Sequence, residues 1–410
     1  MKKQLFSACM VMAVCGFAET PFPRWSPAYA VTQGPKEHLF ASYYAMNAWS
    51  PDQRSILVLE TDVREGLPTE NDVATIGLVD LEKNNAFIPL TTTRCWNFQE
   101  ATMAHWLGKE NQFIYNDWVD GRFVSIVFDV ATRTKRTLPH PIAAVTPDGE
   151  WAISINYARL RLTRPDYGYG GKGQDAQENV VFPENDGLWL MHVKSGETKL
   201  LVSIASQREK MAPVQDPKAL AYFCHVVFSR DGQKIFWLAR SVENLAAQSR
   251  RVTTWQTTAF VCTRDGREIV RCFPDGWGGS HFNWKDGASM CVTANWEKKT
   301  WSHVLFTPGK ADWRRLGCGL LDFDGHCVFA NNGLWLASDT YPDKLNERKL
   351  FLVRLADDAI LPLGTYAVPD LYKNQYSRCD LHPRFRKDDR MIGFNSVHEG
   401  TRQVYLMKLQ

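Results

Sequence analysis

The chain has 410 residues, of which 44% are hydrophobic and 23% are charged, and it contains 27 glycines and 20 prolines. This composition excludes disordered, collagen-like and mucin-like chains and is sufficient for a large core. The 48 Lys and Arg residues balance 45 Asp and Glu residues to a net charge of +3, which excludes a nucleic-acid or membrane-surface binder driven by charge.

The first 18 residues have the pattern of a secretory signal peptide. Two N-terminal lysines precede the apolar run 5–17, and small residues follow at Gly16 and Ala18. No later apolar stretch is long enough to span a bilayer. We therefore expect a periplasmic or secreted protein whose mature part, residues 19–410, forms a single domain.

Ten cysteines occur, and Cys9 and Cys15 would be removed with the signal peptide. The other eight are irregularly spaced and include no CxxC pair, which disfavours a cysteine-based zinc site. Disulfides are compatible with an exported protein, but their pairing does not follow from the spacing. A lipoprotein anchored through Cys15 is an alternative, disfavoured by the bulky Val14 before it.

A short pattern recurs along the chain: an aromatic or apolar residue, a turn rich in Ser, Pro, Asp and Gly, and then a β-rich run. The seven copies are WSPDQRSILVLE from Trp49, WLGKENQFIYND from Trp106, VTPDGEWAISIN from Val145, FSRDGQKIFWLA from Phe228, WKDGASMCVTA from Trp284, FANNGLWLASD from Phe329 and FRKDDRMIGFN from Phe385. Most copies are followed by a second hairpin, so each unit has four strands. Seven such units predict an all-β fold, a seven-bladed β-propeller of four-stranded antiparallel blades.

The last copy ends at QVYLMKL (403–409), a third strand with no fourth strand after it. We expect the N-terminal strand, near residues 27–33, to supply the missing outer strand and close the ring. The segments 157–187 and 203–220 interrupt the regular repeat. They are predicted to be excursions on one face, where propellers place ligand-contacting loops.

The chain is rich in aromatic residues, with 15 Trp, 13 Tyr and 22 Phe. Such side chains suit strands and also stack on sugars. The aromatics at the repeated position are predicted to be core residues: Trp49, Trp106, Phe228, Trp284, Phe329 and Phe385. A minority is placed where a sugar could reach: Tyr43, Tyr44, Trp96, Tyr167, Tyr169 and Trp277.

Four consecutive blades carry a histidine three residues before the repeated position. These are His225, His281, His326 and His382. Equivalent positions on the innermost strands lie at one height around the axis, so four imidazoles there could share one ion or substrate. Blades 1 to 3 carry Met46, Met103 and Ile142 at this position, so the fold does not require histidine. The alternative is that each histidine only bonds its neighbouring blade.

Side chains alternate along a strand, so residues five and seven positions before the repeated residue share the face of the histidines. This adds Asp322, Asp324, Arg378, Asp380 and, in blade 2, Gln99. His105, one position before the repeated residue of blade 2, shares the same face. The opposite parity places Cys224, Cys327 and Cys379 in the packing between blades.

Imidazoles with one carboxylate suit Mn²⁺, Zn²⁺ or Fe²⁺ better than Ca²⁺ or Mg²⁺, which prefer oxygen ligands. The candidate metal ligands are His281, His326, His382 and Asp380. Among divalent metals we expect Mn²⁺, with Ca²⁺ or Zn²⁺ as alternatives. His225 would remain free for proton transfer, since the pKa of histidine lies near the working pH.

The excursion in blade 3 contains Arg159, Arg161, Arg164, Tyr167 and Tyr169. Arg binds carboxylates through two parallel hydrogen bonds, and Tyr can stack on a sugar or donate a proton. We therefore predict catalytic roles for Arg164 and Tyr167 beside His225. The predicted substrate-binding residues are Gln99, His105, Arg159, Arg378 and Tyr44. The alternative is a solvated basic loop.

The blade turns, SHFNW (280–284), DGHCVF (324–329), CDLHPRF (379–385) and FNSVHEGTRQVYLM (394–407) resemble secreted seven-bladed propellers related to oligogalacturonate lyases and their TolB-like relatives. The resemblance covers the mature chain and implies a Mn²⁺-like ion held by three histidines and a glutamine, with a further histidine as base. His281 and His382 match the ligand segments and His225 matches the base. Where that family has the glutamine and a paired histidine, this chain has Arg378 and Asp380.

We expect a polysaccharide lyase, a carbon–oxygen lyase that acts by metal-assisted β-elimination on acidic oligosaccharides of the oligogalacturonate or rhamnose–glucuronate type. Removing a proton beside a carboxylate requires a cation to neutralise that carboxylate and a base to take the proton. A monomer without a nucleic-acid partner or membrane span is expected. One alternative is a non-catalytic periplasmic propeller that binds glycan or protein. Another is a glycoside hydrolase that uses Asp322, Asp324 and Asp380.

Overall fold

The structure is a computed structural model that describes residues 22–171, 175–214, 216, 219–242, 255–317 and 319–410. In this part of the chain, 28 strands form seven four-stranded antiparallel sheets. The sheets follow one another along the chain as the blades of a propeller, which confirms the predicted fold class. The predicted signal peptide, residues 1–18, lies outside the described residues.

In blades 1 to 6 the strands run in chain order from the innermost to the outermost, and in blade 7 the N-terminal strand takes the outermost place. Blade 1 contains β2 (Glu37–Phe40), β3 (Ser55–Thr61), β4 (Ala74–Asp80) and β5 (Ala86–Thr93). Blade 2 contains β6 (His105–Trp106), β7 (Gln112–Val119), β8 (Arg122–Asp129) and β9 (Lys135–Leu138). Blade 3 contains β10 (Ala144–Val145), β11 (Trp151–Ser154), β12 (Gly187–His192) and β13 (Thr198–Ser203).

The remaining blades follow the same order. Blade 4 contains β14 (Leu220–Phe228), β15 (Lys234–Val242), β16 (Trp255–Thr263) and β17 (Val270–Arg271). Blade 5 contains β18 (Phe282–Trp284), β19 (Met290–Trp296), β20 (Thr300–Phe306) and β21 (Arg314–Arg315). Blade 6 contains β22 (Val328–Phe329), β23 (Trp335–Asp339), β24 (Glu347–Arg354) and β25 (Ile360–Ala367). Blade 7 contains β26 (Arg384–Phe385), β27 (Met391–Ser396), β28 (Gln403–Lys408) and β1 (Tyr29–Ala30).

Strand β1 closes the ring as predicted. It pairs antiparallel with β28, with Tyr29 opposite Leu406 and Ala30 opposite Tyr405. The amide of Val31 extends the ladder by donating to the carbonyl of Val404 at 2.8 Å. The N-terminal strand therefore covers the edge of blade 7, which would otherwise expose unpaired backbone groups.

The recurring turns explain why each inner strand reverses sharply into the second strand. In blade 4 the Ser229 hydroxyl donates to Asp231 at 2.5 Å, and the Gly232 amide donates to the carbonyl of Ser229 at 2.8 Å. Gly232 has a φ of 69°, a conformation that favours glycine. Short polar side chains and a glycine thus produce the tight turn that the repeat predicts.

The repeated aromatic position is part of the core, as predicted. All six side chains are buried: Trp49, Trp106, Phe228, Trp284, Phe329 and Phe385. The cysteines assigned to packing are buried too, namely Cys224, Cys327 and Cys379. The seven cysteines that the structure describes are free thiols. These residues hold the blades together and do not form the site.

The excursion of blade 3 starts with a helix, α1 (Tyr157–Thr163). Asn156 caps it by accepting a hydrogen bond from the amide of Arg159 at 2.9 Å. In the part of the chain that the structure describes, two 3₁₀ turns, Ala205–Lys210 and Asp370–Tyr372, occur in the connections of blades 3 and 6. Among the described residues, the helices are too short or too polar to cross a membrane.

Candidate functional site

The four histidines of consecutive blades lie side by side at the centre of the ring. The centroids of the His281 and His326 rings are 3.8 Å apart, and those of His326 and His382 are 4.2 Å apart. The centroid of the His225 ring, at the other end of the series, lies 6.4 Å from that of His281. All four are buried. The structure therefore brings together the histidines that the repeat aligned.

The backbone at two of these positions is not the regular extended strand that the alternation argument assumes. His225 has a φ of 56° and His382 a φ of 51°. In β14 the pairing register shifts between Cys224 and Val227, where His225 falls in a β-bulge. Because a bulge re-aims a side chain, simple alternation does not determine the direction of His225.

Three side chains form a group that could hold a metal ion: His326, Asp380 and His382. Their potential ligand atoms all lie within 4.8 Å of one another. His326 Nε2 and His382 Nε2 are each 3.9 Å from Asp380 Oδ2. Both of these nitrogens are buried and accept no hydrogen bond from protein. Two unpartnered imidazole nitrogens beside a carboxylate fit a divalent transition metal.

His281, the fourth predicted ligand, lies beside this group and not within it. Its Nδ1 donates to Asp324 Oδ1 at 2.8 Å, so its other nitrogen is available on the opposite side of the ring. Burial raises the pKa of Asp324, but His281 and the hydroxyl of Thr293 outweigh burial and hold that pKa below its ordinary value. Asp324 therefore stays ionised and orients His281.

Asp339 has the same relation to His326 and was not predicted from the sequence. Asp339 Oδ1 accepts hydrogen bonds from Nδ1 and from the backbone amide of His326, each at 2.8 Å. Its other oxygen accepts from the amide of His382 at 3.1 Å. A buried carboxylate at the end of β23 thus directs His326 Nε2 toward Asp380 and links two candidate ligands. Its position in the second strand of a single blade has no counterpart in the repeat.

Two arginines neutralise the negative charge of Asp380. Arg348 Nη2 lies 2.6 Å from Asp380 Oδ1, and Arg378 Nε donates to Oδ2 at 2.9 Å. Burial raises the pKa of Asp380, but the two guanidinium groups outweigh burial and hold it well below the ordinary range. Asp380 is therefore ionised, as a metal ligand must be.

A cavity of about 510 Å³ opens above His225 and His281. Four arginines line it, from the blade 3 excursion, blade 4, blade 6 and the connection that precedes blade 7: Arg164, Arg240, Arg348 and Arg378. Three tyrosines, Tyr167, Tyr341 and Tyr372, also line it. This concentration of guanidinium groups in a chain of almost balanced charge suits an anionic ligand, and carboxylates above all.

The predicted catalytic residues Arg164 and Tyr167 both reach this cavity. Arg164 is paired with Asp166 at 3.2 Å, and its guanidinium lies 4.5 Å from the centroid of the Tyr167 ring. Arg378 Nη2 donates to the Tyr167 hydroxyl at 3.1 Å. Burial raises the pKa of Tyr167 although both arginines act to lower it. The hydroxyl therefore keeps its proton and can donate it into the cavity.

His225 lines the same cavity as a neutral imidazole. Burial, with a contribution from the nearby cation Arg240, lowers its pKa well below the ordinary value. Its Nδ1 is buried without a hydrogen-bond partner. Burial in the same way lowers the pKa of His281, and that of His382 well below the ordinary value. Neutral imidazoles can accept protons or bind metal, whereas imidazolium ions can do neither.

Four of the predicted substrate-binding residues are not part of the cavity lining. Arg159 is buried with Asp175 at 3.1 Å and donates to backbone carbonyls that hold the blade 3 excursion. The Tyr44 hydroxyl accepts from the Phe282 amide at 2.6 Å and lies within the core. Both side chains have structural partners because the excursion and the blade 1 loop fold inward.

Blade 2 contributes support and no lining residue. His105 Nδ1 is 2.6 Å from the carbonyl of Met103, and burial lowers its pKa to about 4. Gln99 Nε2 donates at 3.2 Å to the backbone carbonyl of Arg378, the remaining predicted binding residue, whose side chain does line the cavity. Asp322 also turns away and pairs with Arg315.

The aromatics assigned to sugar contact are mostly core residues. Tyr43, Tyr44, Trp96 and Tyr169 are almost completely buried, although the edge of Tyr43 faces His225 and His382. The aromatics that the structure does expose at the site are Trp301 and Tyr341. Neither occupies the repeated position, so the repeat contains no sign of their exposure.

Solved structures of other proteins share this fold. An oligogalacturonate lyase from Vibrio parahaemolyticus superimposes with a TM-score of 0.63 at 14% identity, covering 93% of both chains. An oligogalacturonate lyase in complex with manganese has the same TM-score at 15% identity, covering 95% of this chain and 98% of that one. The tricorn protease matches with a TM-score of 0.54 at 8% identity over 91% of this chain and 34% of its own.

No protein-family model matches the sequence, and a comparison with curated proteins finds no relative. The similarity to solved structures therefore concerns the fold. The chain is a seven-bladed β-propeller of the scaffold that oligogalacturonate lyases also have.

Proposed function

We propose that this protein is an exported lyase that cleaves uronic-acid-containing oligosaccharides by β-elimination. The observation that carries the proposal is the position of a neutral, buried His225 at the floor of a cavity lined by four arginines. A base beside several guanidinium groups is the arrangement required to remove a weakly acidic proton next to a carboxylate. The solved lyases on the same scaffold support this choice.

The arginines give the substrate its orientation. Arg378 and Arg348 are held by Asp380, and Arg164 is held by Asp166, so their guanidinium groups are fixed before substrate arrives. Preorganised cations that neutralise the substrate carboxylate lower the energy of the carbanion that forms beside it. The carboxylate would therefore lie among these arginines, with its ring above His225.

The proton transfers follow from the two nearest titratable groups. Because His225 Nδ1 is enclosed, Nε2 takes the proton from C5 of the uronate, and the electrons of that bond form the C4–C5 double bond. The bond between C4 and the glycosidic oxygen breaks, and the Tyr167 hydroxyl donates its proton to that oxygen. Return of a proton from His225 to Tyr167 through solvent restores both groups.

The group of His326, Asp380 and His382, with His281 beside it, would hold a divalent cation, for which Mn²⁺ is our first choice. The chemistry that such a cation supplies when bound is neutralisation of the substrate carboxylate. Asp339 and Asp324 keep Nδ1 of His326 and His281 protonated, so these residues present Nε2 as the ligand atom.

The glycoside-hydrolase alternative is not favoured, since such an enzyme needs one carboxyl group that keeps its proton. The pKa values of Asp324 and Asp380 are both held low, and Asp322 lies outside the cavity in a pair with Arg315.

The test is a screen of the purified protein against galacturonate, rhamnose–glucuronate and ulvan-type oligosaccharides, with chelator and after addition of Mn²⁺. We expect unsaturated uronate products, detected by ultraviolet absorbance and mass spectrometry, and a loss of about 10²–10⁴-fold in kcat for His225→Ala. His192→Ala, on β12 of blade 3, is the matched control and should retain full activity. Saturated products, or no product from any of these substrates, would contradict the proposal.

A further inference from the structure

A second cavity lies beside the site cavity and has a different character. It has a volume of about 440 Å³ and is formed by blades 4 and 5. Polar uncharged side chains line it, among them Gln256, Thr257 and Asn295, together with the indole of Trp277. Its charged lining residues, Arg271 and Asp275, form an ion pair with each other. The second cavity is therefore electrically balanced, unlike the arginine-lined site.

Trp301 stands between the two cavities and lines both of them. Its side chain is 38% exposed, although most aromatic residues that the structure describes are buried or only partly exposed. Tyr341, which is 36% exposed, is the other strongly exposed aromatic side chain among the described residues, and it also lines the site cavity. The two most exposed aromatic side chains of the described residues thus both lie at the site, where a ligand can cover them.

Arg240 connects the cavities directly. Its guanidinium lines the site cavity, while Nε donates to the Thr257 hydroxyl at 3.1 Å and Nη2 donates to the carbonyl of Gly279 at 3.3 Å. Both acceptor residues line the second cavity. The two cavities are therefore separated by little more than one side chain, and one chain of sugars can occupy both.

We propose that the second cavity is a subsite for an uncharged sugar residue next to the uronate, stacked on the indole of Trp301. This inference rests on the proposed function and narrows its substrate class. The charge-balanced lining offers hydroxyl-binding amides and no unpaired cation for a second carboxylate. The preferred substrate is therefore an oligosaccharide in which uronate alternates with a neutral sugar, and not a chain made of uronates alone.

Binding to the His225→Ala protein tests this, because that variant is expected to cleave the ligand far more slowly than the unmodified protein. The probes are an alternating uronate–neutral tetrasaccharide, a tetrasaccharide of uronates alone and a free uronate, measured by isothermal titration calorimetry. We expect the alternating tetrasaccharide to bind most tightly. Adding Trp301→Ala should weaken its binding about tenfold and leave the free uronate unchanged. Trp301→Phe should restore most of the affinity, since it keeps an aromatic face.

Leu334→Ala removes another exposed apolar side chain, outside both cavities, and is the matched control. The subsite proposal fails if Trp301→Ala changes neither tetrasaccharide, if it weakens all three ligands equally, if the all-uronate tetrasaccharide binds best, or if no oligosaccharide binds. The proposed function fails separately, if the unmodified protein binds the alternating tetrasaccharide in the expected pattern and forms no unsaturated product.

Discussion

At the scale of single residues, the site depends on carboxylates that orient its histidines. Asp339 and Asp324 each accept a hydrogen bond from Nδ1 of a central histidine, at 2.8 Å in both cases. Such partners select the tautomer and orient the ring, which makes the other nitrogen a better ligand. Asp339 also bonds the backbone of His326 and His382, so one side chain organises two blades.

The Asp339→Asn variant keeps the shape of this side chain and removes its charge. We expect Mn²⁺ to bind about 10–100-fold more weakly, because the amide is a poorer acceptor for His326 Nδ1. Calorimetric titration of the purified protein with Mn²⁺ measures this without any substrate. Asp357→Asn changes an exposed carboxylate of the same blade, paired with Arg354, and serves as the control. An unchanged dissociation constant in Asp339→Asn would show that Asp339 has only a structural role.

At the scale of elements, the inner strands of blades 4 to 7 combine packing with presentation of the site. In these blades the repeated aromatic residue ends the inner strand and enters the core, and the residue three positions earlier faces the axis. The left-handed backbone of His225 and His382 is sparsely populated for residues other than glycine. Well-packed neighbours are needed to maintain it, which links the geometry of the site to the core.

Trp284 and Trp301 lie on the same blade, and comparing them distinguishes a packing role from a role in ligand contact. Trp284 is almost fully buried in the core, and its Nε1 has no hydrogen-bond partner, so its contribution is packing. We expect Trp284→Ala to reduce the free energy of unfolding by about 3–5 kcal/mol, the usual cost of truncating a buried Trp. Trp301→Ala should change it by less than about 0.5 kcal/mol. Urea unfolding followed by circular dichroism measures both, and equal losses would contradict this assignment.

At the scale of the whole molecule, ring closure and buried titratable groups determine stability. Strand β1 pairs with β28, so both ends of the described chain meet in blade 7. Burial lowers the pKa of His105 and of His303 to about 4, and it raises the pKa of Glu100 to about 8. His105 and Glu100 belong to the blade 2 segment and His303 to blade 5, and all of them titrate at their ordinary values in the unfolded chain.

Stability should be highest near neutral pH and fall on both sides. Below pH 6.5, the ordinary pKa of histidine, His105 and His303 bind protons in the unfolded chain but stay neutral in the folded protein down to about pH 4. Acid therefore favours unfolding. Between 4.5 and about 8, folded Glu100 retains a proton that the unfolded chain releases, so its contribution falls as the pH rises.

Thermal unfolding monitored by fluorescence from pH 5 to pH 9 measures this balance. Glu100→Gln, which cannot lose a proton, should reduce the decline on the alkaline side and leave the acidic decline in place. A Tm that rises continuously toward pH 5 would contradict the prediction.

The repeat in the sequence was sufficient to predict seven blades, closure by the segment near residues 27–33, the buried aromatics and the meeting of four histidines. These features follow from local turn chemistry and strand patterns, which repeat with the fold itself. The same patterns predicted that Asp324, Arg378 and Asp380 would share the axis with the histidines. They also indicated that Arg164 and Tyr167 belong to a loop on the site face.

Tertiary structure alone decided which of the remaining polar and aromatic side chains reach the ligand. Arg159 and Tyr44 turn into the core, while Trp301 and Tyr341 stay exposed, because the packing of loops against neighbouring blades sets their direction. Asp339 and Arg348 come from the second and third strands of blade 6 and meet the histidine group only across the folded ring. Repetition along the chain determined the blades and the group of four histidines. The charge around these histidines, their orientation and their access to a ligand depend on contacts between distant segments, and such contacts do not repeat along the sequence.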